Sequence, residues 1–215
     1  MTGYFVTGTD TGVGKTHVSS ALARCARLLG KKVFAFKPIE TGCEGIDGEL
    51  IGSDQQALWQ ASGQWQHGDL RGVYKLRSPV APLVAAEEEG VQIDLDRILR
   101  TLDDGAAQAD VTVVEGAGGW RVPITPEYDQ NELVRRIGLP VVVVARATLG
   151  TINHSILALE AVERDGCTIA ALVLSRRPEE NQKFTHNNAL QISRRWPGRI
   201  MIYEGDDSIF EPLFQ

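Results

Sequence analysis

A strand that runs into a glycine-rich turn and leaves it as a helix restricts this chain more than any other stretch does. Residues 4–17 have that form: Tyr4-Phe5-Val6-Thr7, then Gly8-Thr9-Asp10-Thr11-Gly12-Val13-Gly14-Lys15-Thr16-His17. Polyphosphate needs several converging backbone N–H groups, and glycines let the backbone approach closely and take positive φ. The helix that follows adds its N-terminal dipole. Lys15 would bring a point charge to the β- and γ-phosphates, and the Thr16 hydroxyl is a hard ligand of the kind Mg²⁺ accepts beside water and phosphate. The usual phosphate-binding loop has four residues between its first Gly and its Gly-Lys pair, whereas five separate Gly8 from Gly14. A glycine-rich turn that binds nothing shares part of this grammar; strand, glycines, Lys-Thr and helix in one order favour the phosphate loop.

The rest of the chain alternates apolar runs with amphipathic stretches. Val18 to Leu29 has helical spacing with Gly30 at its C-terminal end, and Lys32 to Lys37 reads as a second strand stopped by Pro38. Strand, helix and strand within 37 residues make a βαβ unit and imply parallel pairing. Thr41 to Gly52 reads as a glycine-rich acidic loop, Asp54 to Ala61 as a short helix capped by Ser53 or Asp54, and Val73 to Leu76 as a short strand. Helices follow at Leu83–Glu88 and Asp94–Gln108. Val111 to Val114 is a β-branched run suited to a strand covered on both faces. Further helices are expected at Gln130–Ile137, from near Thr151, and at Glu180–Trp196; further strands at Pro140–Ala145, Thr168–Leu174 and Ile200–Tyr203. This alternation predicts a three-layer α/β/α fold with a mostly parallel sheet and a single domain spanning residues 1–215.

Composition narrows the function classes. A net charge of −6 disfavours a general nucleic-acid or anionic-membrane surface. Cys25, Cys43 and Cys167 are odd in number and widely spaced, so neither a disulfide framework nor a zinc cluster is suggested. No run approaches the length of a membrane span and the N-terminus has no signal-peptide pattern, which predicts a cytoplasmic protein.

In parallel α/β sheets ligands sit outside the carboxyl ends of the strands. There lie the phosphate loop, Lys37, Glu115 with Gly116-Ala117-Gly118-Gly119, and Leu149-Gly150-Thr151-Ile152-Asn153-His154. Thr16, Asp54 and Glu115 would give a hard cation one hydroxyl and two carboxylates. Asp54 serves equally well as a helix N-cap, whereas Glu115, a carboxylate after a buried run and before glycines, points to a site. Lys37 either snorkels to solvent or joins Lys15 near a transferring phosphoryl group. The 149–154 junction is either a capped helix or an anion site at a helix N-terminus.

Together these stretches resemble the dethiobiotin synthetase family. The matching segments, in order, are Gly8 to Thr16 with its five-residue gap, Lys37-Pro38-Ile39-Glu40-Thr41-Gly42, Ser53-Asp54, Ser78-Pro79-Val80-Ala81-Pro82, Glu115 to Gly119 and Leu149 to His154. The resemblance implies a P-loop NTPase-type fold and an ATP-dependent ligase that carboxylates and cyclises 7,8-diaminononanoate with CO₂ or bicarbonate to dethiobiotin. It further implies Thr11, Lys15 and Lys37 as catalytic residues and Mg²⁺ on Thr16, Asp54 and Glu115. Nucleotide would be held by Gly12, Val13, Gly14, Lys15, Thr16, His17, Asp54, Glu115, Gly116, Ala117, Gly118, Ser175 and Arg176. Substrate would lie on Thr11, Lys37, Thr41 and Gly118, with Gly150, Thr151, Ile152 and Asn153 of the second subunit of a homodimer at its carboxylate. Two places depart from the family. Ser175 stands where an adenine-recognising Asn is usual, and a hydroxyl cannot reproduce a two-pronged amide contact, so relaxed base selectivity is expected. The tail Ile202 to Asp206 has no proline. The alternatives are a diverged ligase and a partitioning or regulatory ATPase of the same superfamily. The latter usually has a second lysine early in the loop, where this chain has Thr9 and Asp10.

Overall fold

The computed structural model describes residues 1–178 and 180–215. Its elements in chain order are β1 (Gly3–Gly8), α1 (Lys15–Leu28), β2 (Val33–Phe36), β3 (Ile39–Thr41), β4 (Glu44–Ile46), β5 (Glu49–Ile51), α2 (Ser53–Ala61), β6 (Tyr74–Leu76), α3 (Pro82–Glu89) and α4 (Leu95–Ala106). There follow β7 (Val111–Gly119), α5 (Gln130–Ile137), β8 (Val141–Arg146), α6 (Thr151–Arg164), β9 (Ile169–Ser175), α7 (Gln182–Ser193) and β10 (Ile200–Tyr203). Short 3₁₀ turns occupy Gly68–Arg71 and Asp207–Leu213. Among the described residues no helix is long and apolar enough to cross a membrane.

Six strands form one all-parallel sheet in the order β10-β9-β8-β1-β7-β2. The implied pairing of β1 with β2 is not found: β7 lies between them and pairs in parallel with both, so the two strands run parallel one strand apart. Alternate residues of the valine run face opposite layers: Val141, Val143 and Ala145 join the core under α4 to α7, and Val142 and Val144 join the core under α1 and α2. That period of two with both faces buried is why the parallel strands read as continuous apolar runs. The second core also takes in Tyr203 and Phe210 of the tail, and Arg24 of α1 holds Asp207 at 2.7 Å.

Three further expectations change. The predicted loop over Thr41 to Gly52 contains the hairpin β4–β5, turned by Asp47 and Gly48 at φ of 51° and 85°. Those two positive angles make the type I′ turn for which Asp-Gly is a strong signal. The strand expected at Val111–Val114 continues to Gly119, since β1 goes on pairing with it as far as Gly8↔Gly119. The helix predicted over Glu180–Trp196 spans only Gln182–Ser193, started by the Asn181 side chain, which accepts from the Phe184 N–H.

Candidate active site

The sheet order sets the site. β7 lies between β1, which delivers the phosphate loop, and β2, which delivers Lys37. Phe36 is level with Val114 across the β2–β7 ladder, so the next residues, Lys37 and Glu115, fall side by side. Lys37 Nζ donates to Glu115 Oε1 at 2.9 Å and also to Asp54 at the start of α2. From α1 the Thr16 hydroxyl donates to the same Glu115 oxygen at 2.8 Å. Glu115 is fully buried and its Oε2 has no hydrogen-bond partner among the described residues. A buried carboxylate oxygen left unpaired is costly, which marks it as a ligand position.

The electrostatics follow from these contacts. Burial alone would lower the Lys37 pKa, yet Glu115 and Asp54 outweigh it and hold the ammonium well above the ordinary lysine range. Burial pushes the Asp54 carboxyl up, and Lys37 more than reverses that, leaving it below the usual carboxylate range. Lys15 is shifted the other way. Burial lowers its pKa, Glu115 raises it and Lys37 lowers it, with a net shift downward.

The phosphate loop closes over this group. Gly12 and Gly14 take φ of 66° and 99°. The Asp10 carboxylate accepts from the Thr11 N–H at 2.7 Å, and Lys15 Nζ donates to the Asp10 carbonyl at 3.2 Å. Gly14 is also the residue before α1, and among the described residues no side chain caps that helix, so its first N–H groups are left to the loop. Loop and strand ends together line a cavity of about 560 Å³. It is lined by Thr11, Gly12, Gly14, Lys15, Thr16, His17, Lys37, Thr41 and Asp54 together with Pro79 to Pro82, Ala117, Gly118 and Val122. A larger hollow between α3 and the 124–128 segment holds none of these residues.

Other expected site residues lie outside the cavity. Glu115 and Gly116 are buried beneath it, and a Cβ on Gly116 would collide with Gln130. Val13 and Thr151 line a smaller neighbouring hollow with Arg146, Leu149 and His154, and Gly150 is the left-handed residue that starts α6 with no side-chain cap. Of the two alternatives for this junction, the side-chain-capped helix is therefore not found among the described residues. Ser175 is buried behind the loop, where a Cβ on Gly14 would come within 2.6 Å of its hydroxyl, and Arg176 pairs with Glu204 at 2.7 Å.

Asp54 and Ser53 do not cap α2 either. That work belongs to Glu40, a residue with no role assigned from sequence: its carboxylate accepts the Asp54 N–H at 2.8 Å and the Gln55 N–H at 2.7 Å. Sequence reasoning also missed Arg146, which donates to the Thr11 carbonyl at 3.2 Å, and Val122. Neither carries a local signal, since each acts across elements far apart in the chain.

Among the described residues no group of three or more His, Cys, Asp or Glu is arranged around a metal position. The Asp54 and Glu115 carboxylates, the latter with its unpaired oxygen, and the Thr16 hydroxyl are nevertheless all hard oxygen donors. They fit a cation that takes its remaining ligands from phosphate and water, as Mg²⁺ does.

Residues 2–198 match the family model described as an AAA domain. The ATP-dependent dethiobiotin synthetase BioD of Anaeromyxobacter dehalogenans (strain 2CP-C) is 43% identical over 209 residues, covering 96% of this chain and 92% of the relative. The protein of that name from Xylella fastidiosa (strain Temecula1 / ATCC 700964) is 41% identical over 194 residues, 90% of this chain and 86% of the relative. Solved structures share the fold. The MinC:MinD cell division protein complex of Aquifex aeolicus superposes with a TM-score of 0.58 at 12% identity, over 99% of this chain and 85% of that one. The signal recognition particle receptor FtsY of Elizabethkingia anophelis gives 0.51 at 15%, over 100% and 65%. With its parallel sheet and phosphate loop, the fold is of the P-loop NTPase type. At 43% identity across almost its whole length, the chain belongs to the ATP-dependent dethiobiotin synthetase family.

Proposed function

We propose that this ATP-dependent ligase makes dethiobiotin from 7,8-diaminononanoate, CO₂ and ATP. One observation carries the reading: two buried lysines, Lys15 and Lys37, line one cavity with Asp54, Thr11, Thr41 and the Pro79–Pro82 segment, and Lys37 pairs there with both Asp54 and the buried Glu115. Two cations beside a phosphate cradle suit phosphoryl transfer, where catalysis is chiefly positioning and charge neutralisation.

In the proposed sequence one amine of the substrate adds to CO₂ and loses a proton, giving a carbamate. A carbamate oxygen attacks the γ-phosphorus of ATP and the bond to the β–γ bridging oxygen breaks, releasing ADP. The second amine then attacks the carbonyl carbon of this carbamic-phosphoric anhydride; phosphate leaves, a proton is lost and the cyclic urea closes. Lys37 would hold the carbamate against the transferring phosphoryl group, and Lys15 would follow charge onto the leaving ADP. Thr11 and Thr41 offer hydroxyls to carbamate and amine. Gly12 to His17 would bind the phosphates through backbone N–H groups and the α1 dipole. Thr16, Asp54 and Glu115 would hold Mg²⁺, which when bound would offset phosphate charge. Gly150 to Asn153 of a second subunit in a homodimer would bind the distal carboxylate. The uncapped start of α6 supports that assignment, because its N–H groups have no side-chain acceptor.

The test is ATP hydrolysis measured with and without diaminononanoate and bicarbonate, with dethiobiotin detected by mass spectrometry. Hydrolysis should depend strongly on both and match dethiobiotin one for one. Equal hydrolysis without the diamine would overturn the ligase reading in favour of a regulatory ATPase.

A further inference from the structure

Asp54 belongs to the site only if the start of α2 is held against the end of β2, and α2 supplies no cap of its own. Its N-cap is Gly52, without a side chain to donate or accept. The carboxylate that closes the helix comes from β3, twelve or more residues earlier in the chain. Glu40 is 4% exposed, and its two oxygens divide the work, Oε1 taking the Asp54 N–H and Oε2 the Gln55 N–H. The Ser53 hydroxyl adds a longer contact to Oε1 at 3.4 Å. A negative charge at a helix N-terminus is favoured by the macrodipole as well as by these bonds.

The fit leaves no slack. A Cβ on Gly52 would collide with the Glu40 carboxylate, so a larger residue there must push that carboxylate off the α2 N–H groups. Gln55, next along the helix, donates through Nε2 to the Lys37 carbonyl at 3.1 Å and the Tyr74 carbonyl at 3.2 Å. One helical turn therefore grips both β2 and β6. Burial pushes the Glu40 carboxyl above its ordinary value, and the Asp54 and Gln55 N–H groups offset only part of that rise. The residue after Glu40 is Thr41, which lines the cavity, and β3 pairs with β6 ahead of the Pro79–Pro82 wall.

We infer that Glu40 is a positioning residue for the reaction: by capping α2 across the fold it sets the Asp54 carboxylate on Lys37 and ties that pair to the substrate wall at Thr41. It touches no substrate. This inference rests on the ligase reading above for its kinetic consequence, though the contact it describes does not.

Glu40→Gln keeps the size and one acceptor oxygen but turns an NH₂ group toward the second N–H, so one of the two bonds is lost. In a folded E40Q protein, kcat should fall on the order of tenfold to a hundredfold, as expected when a site carboxylate is slightly misplaced. Affinity for metal-free ADP by calorimetry should stay within about threefold, because Asp54 would reach the nucleotide only through the cation and the cap does not control the phosphate loop. The amide proton resonances of Asp54 and Gln55 should move upfield in an NMR spectrum, and a crystal structure should show Asp54 displaced from Lys37. Gly52→Ala leaves Glu40 intact and forces its carboxylate away; it should give the same pattern, and it decides the matter if E40Q does not fold. Unmoved amide resonances with Asp54 still on Lys37 would overturn the inference, as would a loss of kcat only in proportion to lost ADP binding and lowered melting temperature. Wild-type protein is the control that separates the two claims. If it makes no dethiobiotin, the ligase reading fails while spectrum and structure still judge the cap; if it does and both variants match it, the Glu40 inference alone fails.

Discussion

Lys15 and Lys37 are both buried lysines within one cluster, yet their pKa values move in opposite directions. Lys37 sits between two carboxylates that more than offset its burial, whereas Lys15 donates to a backbone carbonyl and has Lys37 nearby, so burial wins. A depressed lysine favours the neutral form, and phosphates placed beside it restore the charge. Nucleotide binding should therefore draw in a proton at alkaline pH, with the affinity for ADP weakening as pH rises through the lowered Lys15 value, earlier than an ordinary lysine would give. Calorimetry in two buffers of different ionisation enthalpy reads the proton uptake directly. Lys15→Met should abolish it along with most of the affinity, and an equal uptake in that variant would assign the proton to another group. The residue types at this site were legible in the sequence because a phosphate loop is a contiguous pattern, and Glu115 because a carboxylate ending an apolar run has no structural excuse. Glu40 was not legible as a cap. Its partners lie more than a dozen residues away, and a Glu before Thr-Gly looks like loop surface until β3 and α2 are packed together.

Elements that bury continuous apolar runs were read with little error, since β1, β2, β8 and β9 have both faces covered and need valine, phenylalanine and leucine throughout. The misread ones carry little burial. In the β4–β5 hairpin, five of eight residues from Glu44 to Ile51 are glycine or acidic, and its turn chemistry was the available clue. Past Glu115 the β7 sequence is all glycine and alanine, so only pairing with β1 identifies it as strand. Packing between elements is close where α4 crosses β2. Gly105 of α4 lies over the Phe34 ring, and a Cβ there would collide with it. In open helix surface Gly→Ala stabilises; here overpacking reverses the sign, and Gly105→Ala should destabilise the protein by about 1–3 kcal/mol. Urea unfolding followed by tryptophan fluorescence measures it. A neutral or stabilising result would mean that Phe34 has room to move, in disagreement with its stacked contact to Phe36 at 5.2 Å.

The proposed dimer makes a demand on the molecule as a whole, because one subunit's phosphate loop must then face another subunit's α6 junction. Leu149, the first residue of that junction, is 90% exposed, and Leu157 within α6 is 56% exposed. Burying a leucine stabilises by about 1.5–3 kcal/mol, and a two-fold axis counts the contribution twice. Leu149→Ser should then raise the dimer dissociation constant by about two to four orders of magnitude, read by sedimentation across a dilution series. The variant's KM for diaminononanoate should rise with the monomer fraction, while ADP binding stays at the wild-type value, since Leu149 does not line the cavity of the phosphate loop. Restoring high protein concentration should recover the KM if assembly is the cause. A KM that rises without any change in sedimentation would place the carboxylate subsite within one subunit, and unchanged values of both would remove this face from the interface.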